Sequence, residues 1–347
     1  MAGKRHHYIP RFLQRGFLNE NAKKDYTFIY LNDGAKRPSK IDNVGVEGLF
    51  YSADGETDLD DKITELESKY AQHIGKLREN PSNFISFEDI AEMIFHFEIR
   101  TNNFRRNFHS SGEIFLRQMK ERFTERNVLE PILREELNNK LFNGDEVDNI
   151  LIEKNIPKKK RKKLKNEMRE KIGVFVDIHM EQILTTVKDA MEFNISKRFK
   201  DVVKKGHING LTRGLNENKK VNIYKLLNYK IINTDFNILL SDSIVIFEME
   251  GLSEFKPFYD TKDILKAIYF PVSSNVLIYA FTNEDDPKLS VLNEMSAKCS
   301  KDFFIACEDS PYFEQMQIFI GKNCQLLTES EMHTILNNVI QEKLSEI

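Results

Sequence analysis

The sequence predicts an α+β fold: a β-containing N-terminal segment, a long charged helical middle, and a mainly antiparallel C-terminal sheet with flanking helices. Three observations carry this reading. Apolar residues recur at steps of three and four over 58–77 and again over 86–108, the spacing of helices with one buried face. From about 112 to 200 the text is helical, charged and nearly free of β signals. After 224 it turns to short runs rich in Ile, Val, Tyr and Phe, which is strand composition. These shifts divide the chain into 1–110 (N-terminal motif, short strands and two core helices), 111–205 (a helical insertion or hairpin) and 206–347 (a sheet subdomain packing on the N-terminal part).

In order along the chain, His6–Ile9 reads as extended, because Pro10 disfavours helical geometry at the residue before it. Pro10–Arg15 reads as a short helix stopped near Gly16, with Phe12, Leu13 and Phe17 inward. Tyr26–Leu31, bounded by Asn32-Asp33-Gly34, and Leu49–Ser52 read as strands. Leu59, Ile63, Leu66, Tyr70, Ile74 and Leu77 mark the first long helix. Ser86-Phe-Glu-Asp89 is an N-cap with an acidic third position. It opens a second helix whose stripe is Ile90, Ile94, Phe97, Thr101, Phe104 and Phe108. In the middle, Pro131 and Pro157 punctuate and Asn143-Gly144 suggests a turn. Tyr224–Ile232, Asn237–Leu240, Ile244–Met249, Ala267–Val272 and Val276–Phe281 are expected in one sheet, followed by a helix over Val291–Ser300, a strand over Phe303–Cys307 and a closing helix over Ser330–Lys343.

Composition narrows the class. Lys and Arg number 51 against 54 Asp and Glu, for a net charge of −3, and 40% of residues are hydrophobic. That excludes collagen, low-complexity disorder and a disulfide-stapled mini-domain. Cys299, Cys307 and Cys324 form no Cys-x-x-Cys pair, so a reduced, cytoplasmic chain is expected. No run approaches the ~18 apolar residues of a membrane span, and the basic start lacks an apolar stretch, so neither membrane insertion nor a signal peptide is expected. Phosphate-loop, dinucleotide-binding, His-Glu-x-x-His and Gly-x-Ser-x-Gly motifs are missing.

Five features carry candidate chemistry. His6-His7 sits beside Arg11 in a stretch, 1–19, with Lys4, Arg5, Arg11 and Arg15 and no acid. Neighbours on a strand point to opposite faces, so one imidazole could serve as acid, base or phosphate ligand while the other orients it. The plainer account is one packed and one exposed histidine. Glu67 lies at the edge of the first helix's apolar stripe, either as a site carboxylate or as a flank residue paired with Arg78 or Lys62. Arg100 borders the apolar face of the second helix, in a polar stripe with His96, Asn103 and Asn107. It could clamp a phosphate bidentately, or form a structural ion pair, perhaps with Glu67. Asp242, within Leu240-Ser-Asp-Ser-Ile244, interrupts two apolar runs. It could bind a metal, orient a histidine or act as a base, or simply make an Asx-turn. Finally, Lys158, Lys159, Lys160, Arg161, Lys162, Lys163 and Lys165 form an acid-free basic run. It suits a nucleic-acid-facing helix, a nuclear localisation signal, which it resembles superficially, or a solvated helix start balanced by Glu167 and Glu170.

The opening Lys4-Arg-His-His-Tyr-Ile-Pro-Arg-Phe-Leu with Phe17 resembles a large bacterial family of unknown function whose members begin His-His-Tyr-(Ile/Val)-Pro. Further matches follow in the same order: Val46-Glu-Gly-Leu-Phe-Tyr51 and Glu67, Arg100-Thr101, Leu240-Ser-Asp-Ser-Ile-Val245, and Tyr269-Phe-Pro-Val272. Asn102 stands where a Pro is common, and Ser243-Ile244 replace Asn-Pro. The resemblance spans nearly the whole chain. It implies a bacterial or phage origin, a cytoplasmic setting and a shared polar site; it names no reaction.

These residue types together lead to one expectation. His6 or His7, Glu67 and Asp242 as catalytic groups, with Arg11 and Arg100 as anion ligands, gather in one cleft for nuclease-like phosphodiester hydrolysis, the activity of a toxin or phage-defence effector. A divalent metal such as Mg is the cofactor such chemistry would take, and the basic run would hold nucleic acid. Two rivals stand beside it. One is a non-enzymatic protein- or nucleic-acid-binding module, in which the same residues form a structural network and the helical middle recruits a partner protein. The other is a sensor in which Arg100 clamps a small anion.

Overall fold

A computed structural model of the protein describes residues 5–20, 24–51, 58–80, 85–139, 146–214, 219–283 and 285–345. In chain order the elements are β1 (Arg5–His7), α1 (Arg11–Gln14), β2 (Tyr26–Leu31), β3 (Lys36–Lys40), β4 (Val46–Gly48), α2 (Asp58–Glu79), α3 (Phe87–Ile99), α4 (Asn102–Phe123), α5 (Arg126–Asn138), α6 (Glu146–Glu153), α7 (Lys158–Gly214), α8 (Lys219–Lys225), β5 (Asn228–Asn233), β6 (Leu240–Ser241), β7 (Ile246–Met249), β8 (Leu265–Pro271), β9 (Val276–Phe281), α9 (Leu292–Cys299), β10 (Phe303–Ala306), α10 (Pro311–Gln317) and α11 (Glu329–Ser345). The fold is α+β. Ser52 and Asn143-Gly144, expected in a strand and a turn, lie outside the described residues, as does Lys4.

The chain divides into two compact units: 1–108 with 201–326, and 109–200 with 327–347. In the first, two four-stranded antiparallel sheets form, ordered β5-β9-β8-β7 and β3-β2-β10-β6. One C-terminal sheet was expected from the run of strand-like segments. Instead, β10 pairs with β2 of the N-terminal hairpin and β6 pairs with β10 on its other edge, Phe304 opposite both Ser241 and Tyr30. Tyr224 closes α8 rather than opening a strand. In the second unit, α11 turns Leu336 and Ile340 onto Val128 of α5, so the closing helix belongs with the helical middle and not with the sheet. Pro131 sits inside α5 instead of ending it.

The N-terminal segment is short and pinned at many points. β1 pairs with β4, His6 opposite Glu47 and His7 opposite Val46. Gln14 is fully buried, and its side-chain amide donates to the Ile9 and Val44 carbonyls at 2.7 and 2.9 Å. Gly45 has φ +60, and a Cβ there would meet the Ile9 Cβ at 2.7 Å. Only glycine combines that dihedral with so close an approach. The strand expected over 49–52 does not form at 49–51: β4 stops before it at Gly48, Leu49 takes φ 52, and Phe50 and Tyr51 are buried in the core.

The second long helix also breaks. Arg100 caps α3, and the Thr101 hydroxyl accepts from the Phe104 N–H at 3.1 Å, starting α4 afresh. Beside that break, His207 of α7 is buried. Its Nδ1 accepts from Arg105 Nε at 2.9 Å, and its Nε2 lies 2.7 Å from the Ile99 carbonyl oxygen. Burial, then the Arg105 charge, pull its pKa down to about 3. The folded ring thus binds a proton less readily than the unfolded one. Its contribution is complete above pH ~6.5 and is lost as pH falls from there toward the folded value. Urea titrations should find the parent losing stability between about pH 6.5 and pH 4, and His207→Gln losing less over that window. Parallel slopes for the two proteins would refute this.

Candidate functional site

A hollow of about 400 Å³ opens in the first unit, lined by β1, α1 and one face of α2. α2 supplies Asp60, Thr64, Glu67 and Ala71 at helical spacing, one strip alongside the buried Ile63, Tyr70 and Ile74. β1 supplies Arg5, His6 and His7, and α1 with the turn after it supplies Arg11, Phe12 and Arg15.

The two histidines differ in chemistry. His6 is buried, stacked on Tyr51 with ring centroids 5.4 Å apart. Its Nδ1 accepts from the Tyr51 backbone N–H at 2.9 Å, so the neutral ring carries its proton on Nε2. That nitrogen faces Asp60 Oδ1 at 3.7 Å, just beyond hydrogen-bond distance, and is buried with no hydrogen-bond partner. With its one lone pair already taken, His6 can donate but is poorly placed to accept. His7 is half-buried, and its Nε2 is buried without a partner. Burial, then the Arg11 charge, lower its pKa, against the carbonyls of Asp42 and Ile41, which favour the protonated ring. His7 is therefore neutral near pH 7 and has a nitrogen to spare.

Arg100 lies behind this pair and is 0% exposed. Its Nη2 donates to the His7 carbonyl at 2.6 Å and to Glu67 Oε1 at 2.5 Å, and its Nε to the Tyr51 hydroxyl at 3.0 Å. The Tyr51 hydroxyl donates in turn to the His7 carbonyl at 3.2 Å. Burial works against the guanidinium charge, but Tyr51 and Glu67 outweigh it and hold its pKa up. Burial pushes the Tyr51 hydroxyl up to about 12, so it remains a donor. Arg100 thus positions His7 and Glu67, and it is absent from the lining of the hollow. On the rim, Arg11 pairs with Asp42 at 3.1 Å, and Arg5 donates to Asn43 Oδ1 at 3.0 Å.

The structure brings His6, His7, Arg11 and Glu67 together at the hollow, with Arg100 directly behind. Asp242 is not part of it. That carboxylate is buried and accepts the backbone N–H groups of Lys301, Asp302 and Phe303 at 2.8, 2.7 and 3.3 Å, latching β6 to the entry of β10. Burial pushes its pKa up to about 7, against those three N–H groups. A carboxyl that the folded chain protonates more readily than the unfolded chain loses stability as pH rises from about 4 to that value, and is level above it. Asp242→Asn removes this titration. Between about pH 4 and pH 7 the stability difference should move in the variant's favour; a difference constant across the window, by denaturant titration, would overturn the reading.

The hollow also takes in Arg5, Arg15, Tyr51 and Asp60, which the sequence does not mark as site groups. Asp60 was legible in principle, since it stands one helical turn before Thr64 and two before Glu67. The basic run belongs to the second unit. Lys158, Lys159, Lys160, Lys162 and Lys163 are exposed, whereas Lys165 pairs with Asp148 and Arg161 donates to the Ile156 carbonyl at 2.8 Å. That unit also holds a groove of about 640 Å³ between α5 and α7, but its Arg126 and Arg134 are already paired with Glu130. Among the described residues no group of three or more His, Cys, Asp or Glu could hold a metal ion, and no helix is long and apolar enough to cross a membrane.

Compared with known proteins, residues 5–325 match a family model described as "Protein of unknown function (DUF4238)". No curated protein and no solved structure matches the chain.

Proposed function

The chain belongs to the DUF4238 family of proteins of unknown function, and from that premise we propose that it is a nuclease-like phosphodiester hydrolase working from the hollow beside β1. One observation carries the reading: the buried, unpartnered Nε2 of a neutral His7 at a hollow that Arg5, Arg11 and Arg15 also line. In this scheme His7 takes the proton of an attacking water or ribose hydroxyl. The oxygen–phosphorus bond forms and the bond to the leaving oxygen breaks; the neutral His6 keeps its proton and offers its Nε2–H as a hydrogen bond to the departing oxygen, which takes its proton from water or from the His7 imidazolium. Arg11 and Arg15 offset the extra negative charge on phosphorus. The exposed lysines at the start of α7 are proposed as a separate, sequence-independent nucleic-acid contact. A cytoplasmic setting, supported by three free cysteines, and a toxin or phage-defence role belong to the same proposal.

The purified full chain, incubated with RNA, single-stranded and double-stranded DNA, with and without Mg²⁺ or Mn²⁺, should cleave at least one substrate. Cleavage of none would remove the proposal. The Arg100 network favours a second reading, a binding module in which these residues only fix the N-terminal segment. That reading expects no cleavage and a large loss of stability on Arg100 substitution.

A further inference from the structure

The long helix α7 has one face that is left uncovered among the described residues. Val176 and Met180 are buried, each at most 1% exposed. On the opposite side Val174 and Ile178 are 57% and 71% exposed. At 100° per residue, Lys163, Lys171, Glu181 and Asp189 fall on the same side as Val174 and Ile178, and all four are exposed. Two adjacent apolar residues in open water, flanked by charge, mark an interaction face.

The order of the charges selects the partner. Of these four, both basic residues lie before position 176 and both acidic ones after it, at matching separations; the exposed Glu167, also on this face, would lie against Thr185 of the second copy. Lys171 and Glu181 are equidistant from that point, as are Lys163 and Asp189, and as are Val174 and Ile178. A second copy of the helix, run antiparallel about a two-fold axis at position 176, sets each Lys against an acid and each Val against an Ile. A parallel copy would set like charges against each other. We propose that this face of α7 is a homodimer interface between two copies of the chain, antiparallel and centred at position 176. Such an isologous contact is self-complementary by symmetry. The aligned stretch spans about 39 Å of helix at ~1.5 Å per residue. Lys163 also lies 3.9 Å from Glu167 on its own helix, a loose exposed pair that leaves its ammonium free to reach across.

Light scattering on the full chain at roughly 0.1 M salt, where surface charge is only partly screened, should give twice the monomer mass of 40.7 kDa. Dissociation should increase as salt rises. Val174→Asp with Ile178→Asp should yield a monomer with unchanged circular dichroism. Lys171→Glu alone, and Glu181→Lys alone, should each weaken the dimer about three- to tenfold, and the double swap Lys171→Glu/Glu181→Lys should restore it. Three results would overturn the proposal: a monomer at every concentration, a dimer indifferent to the two aspartates, or a double swap no better than the singles. Loss of oligonucleotide binding on Lys171→Glu in a monomeric parent would instead make this face a nucleic-acid surface.

Discussion

Arg100→Ala should lower the unfolding free energy by about 3–5 kcal/mol, the usual loss when one partner is taken from a buried, hydrogen-bonded charge pair. The guanidinium is fully enclosed and makes three side-chain hydrogen bonds. Its removal leaves a cavity against Phe97 and Tyr51, whose rings lie 5.9 and 5.5 Å from its carbon, and strips the Tyr51 hydroxyl of its donor. Glu67 has a side chain 28% exposed and can turn to water, so the loss should not exceed this range. Lysine offers one point of charge instead of a planar fork, so Arg100→Lys should recover less than half. Glu67→Gln, which keeps an acceptor but not the charge, should cost about 1 kcal/mol, the difference between a charged and a neutral hydrogen bond. Guanidinium titration reads all three. Should Arg100→Ala fail to fold, Glu67→Gln still reports on the pair. A loss under ~1 kcal/mol for Arg100→Ala would mean that the network does not anchor the N-terminal segment.

The features legible in the sequence are those that depend on neighbours along the chain. α2 and the start of α3 were readable because a 3.6-residue period and a Ser86 cap are local signals. The break between α3 and α4 was not. The apolar stripe runs through Phe97, Thr101 and Phe104 without interruption, and what ends α3 is the set of distant bonds that Arg100 makes to Tyr51, His7 and Glu67. The same separation hid the pairing of β6. Two residues of strand carry no record of whether they will meet β7 or Phe304. Asp242 reads identically in sequence whether it faces a cleft or caps three backbone amides, and the fold chose the amides. Asp60 was overlooked for the opposite reason. Acids in a first helical turn have a sufficient local explanation in the helix dipole, so nothing directed attention to the histidine that pairing of β1 with β4 brings to it.

The cleavage activity of the parent, once measured, should fall on His7→Ala by about 10²–10⁴-fold in kcat/KM, the range for loss of a general base, with little change in melting temperature. Stability should hold because the imidazole is half-buried and has a nitrogen with no partner to lose. What fixes this residue in place is its main-chain carbonyl, which Arg100 and Tyr51 grip whatever side chain the position carries. His6→Ala should behave differently. It vacates a buried, stacked ring and orphans the Tyr51 backbone N–H, so stability falls together with rate. The pH profile distinguishes a base from a bystander. The neutral ring is the active form, and burial with Arg11 lowers its pKa. The acid limb of kcat/KM should therefore bend below the ordinary histidine value of about 6.5. Removing the nearby charge with Arg11→Gln should move that bend upward toward it. A His7→Ala protein that keeps more than about a tenth of parental activity, less than ~1.4 kcal/mol of barrier, would show that the proton leaves by another route. An acid limb unmoved by Arg11→Gln would show that the titrating group is not His7.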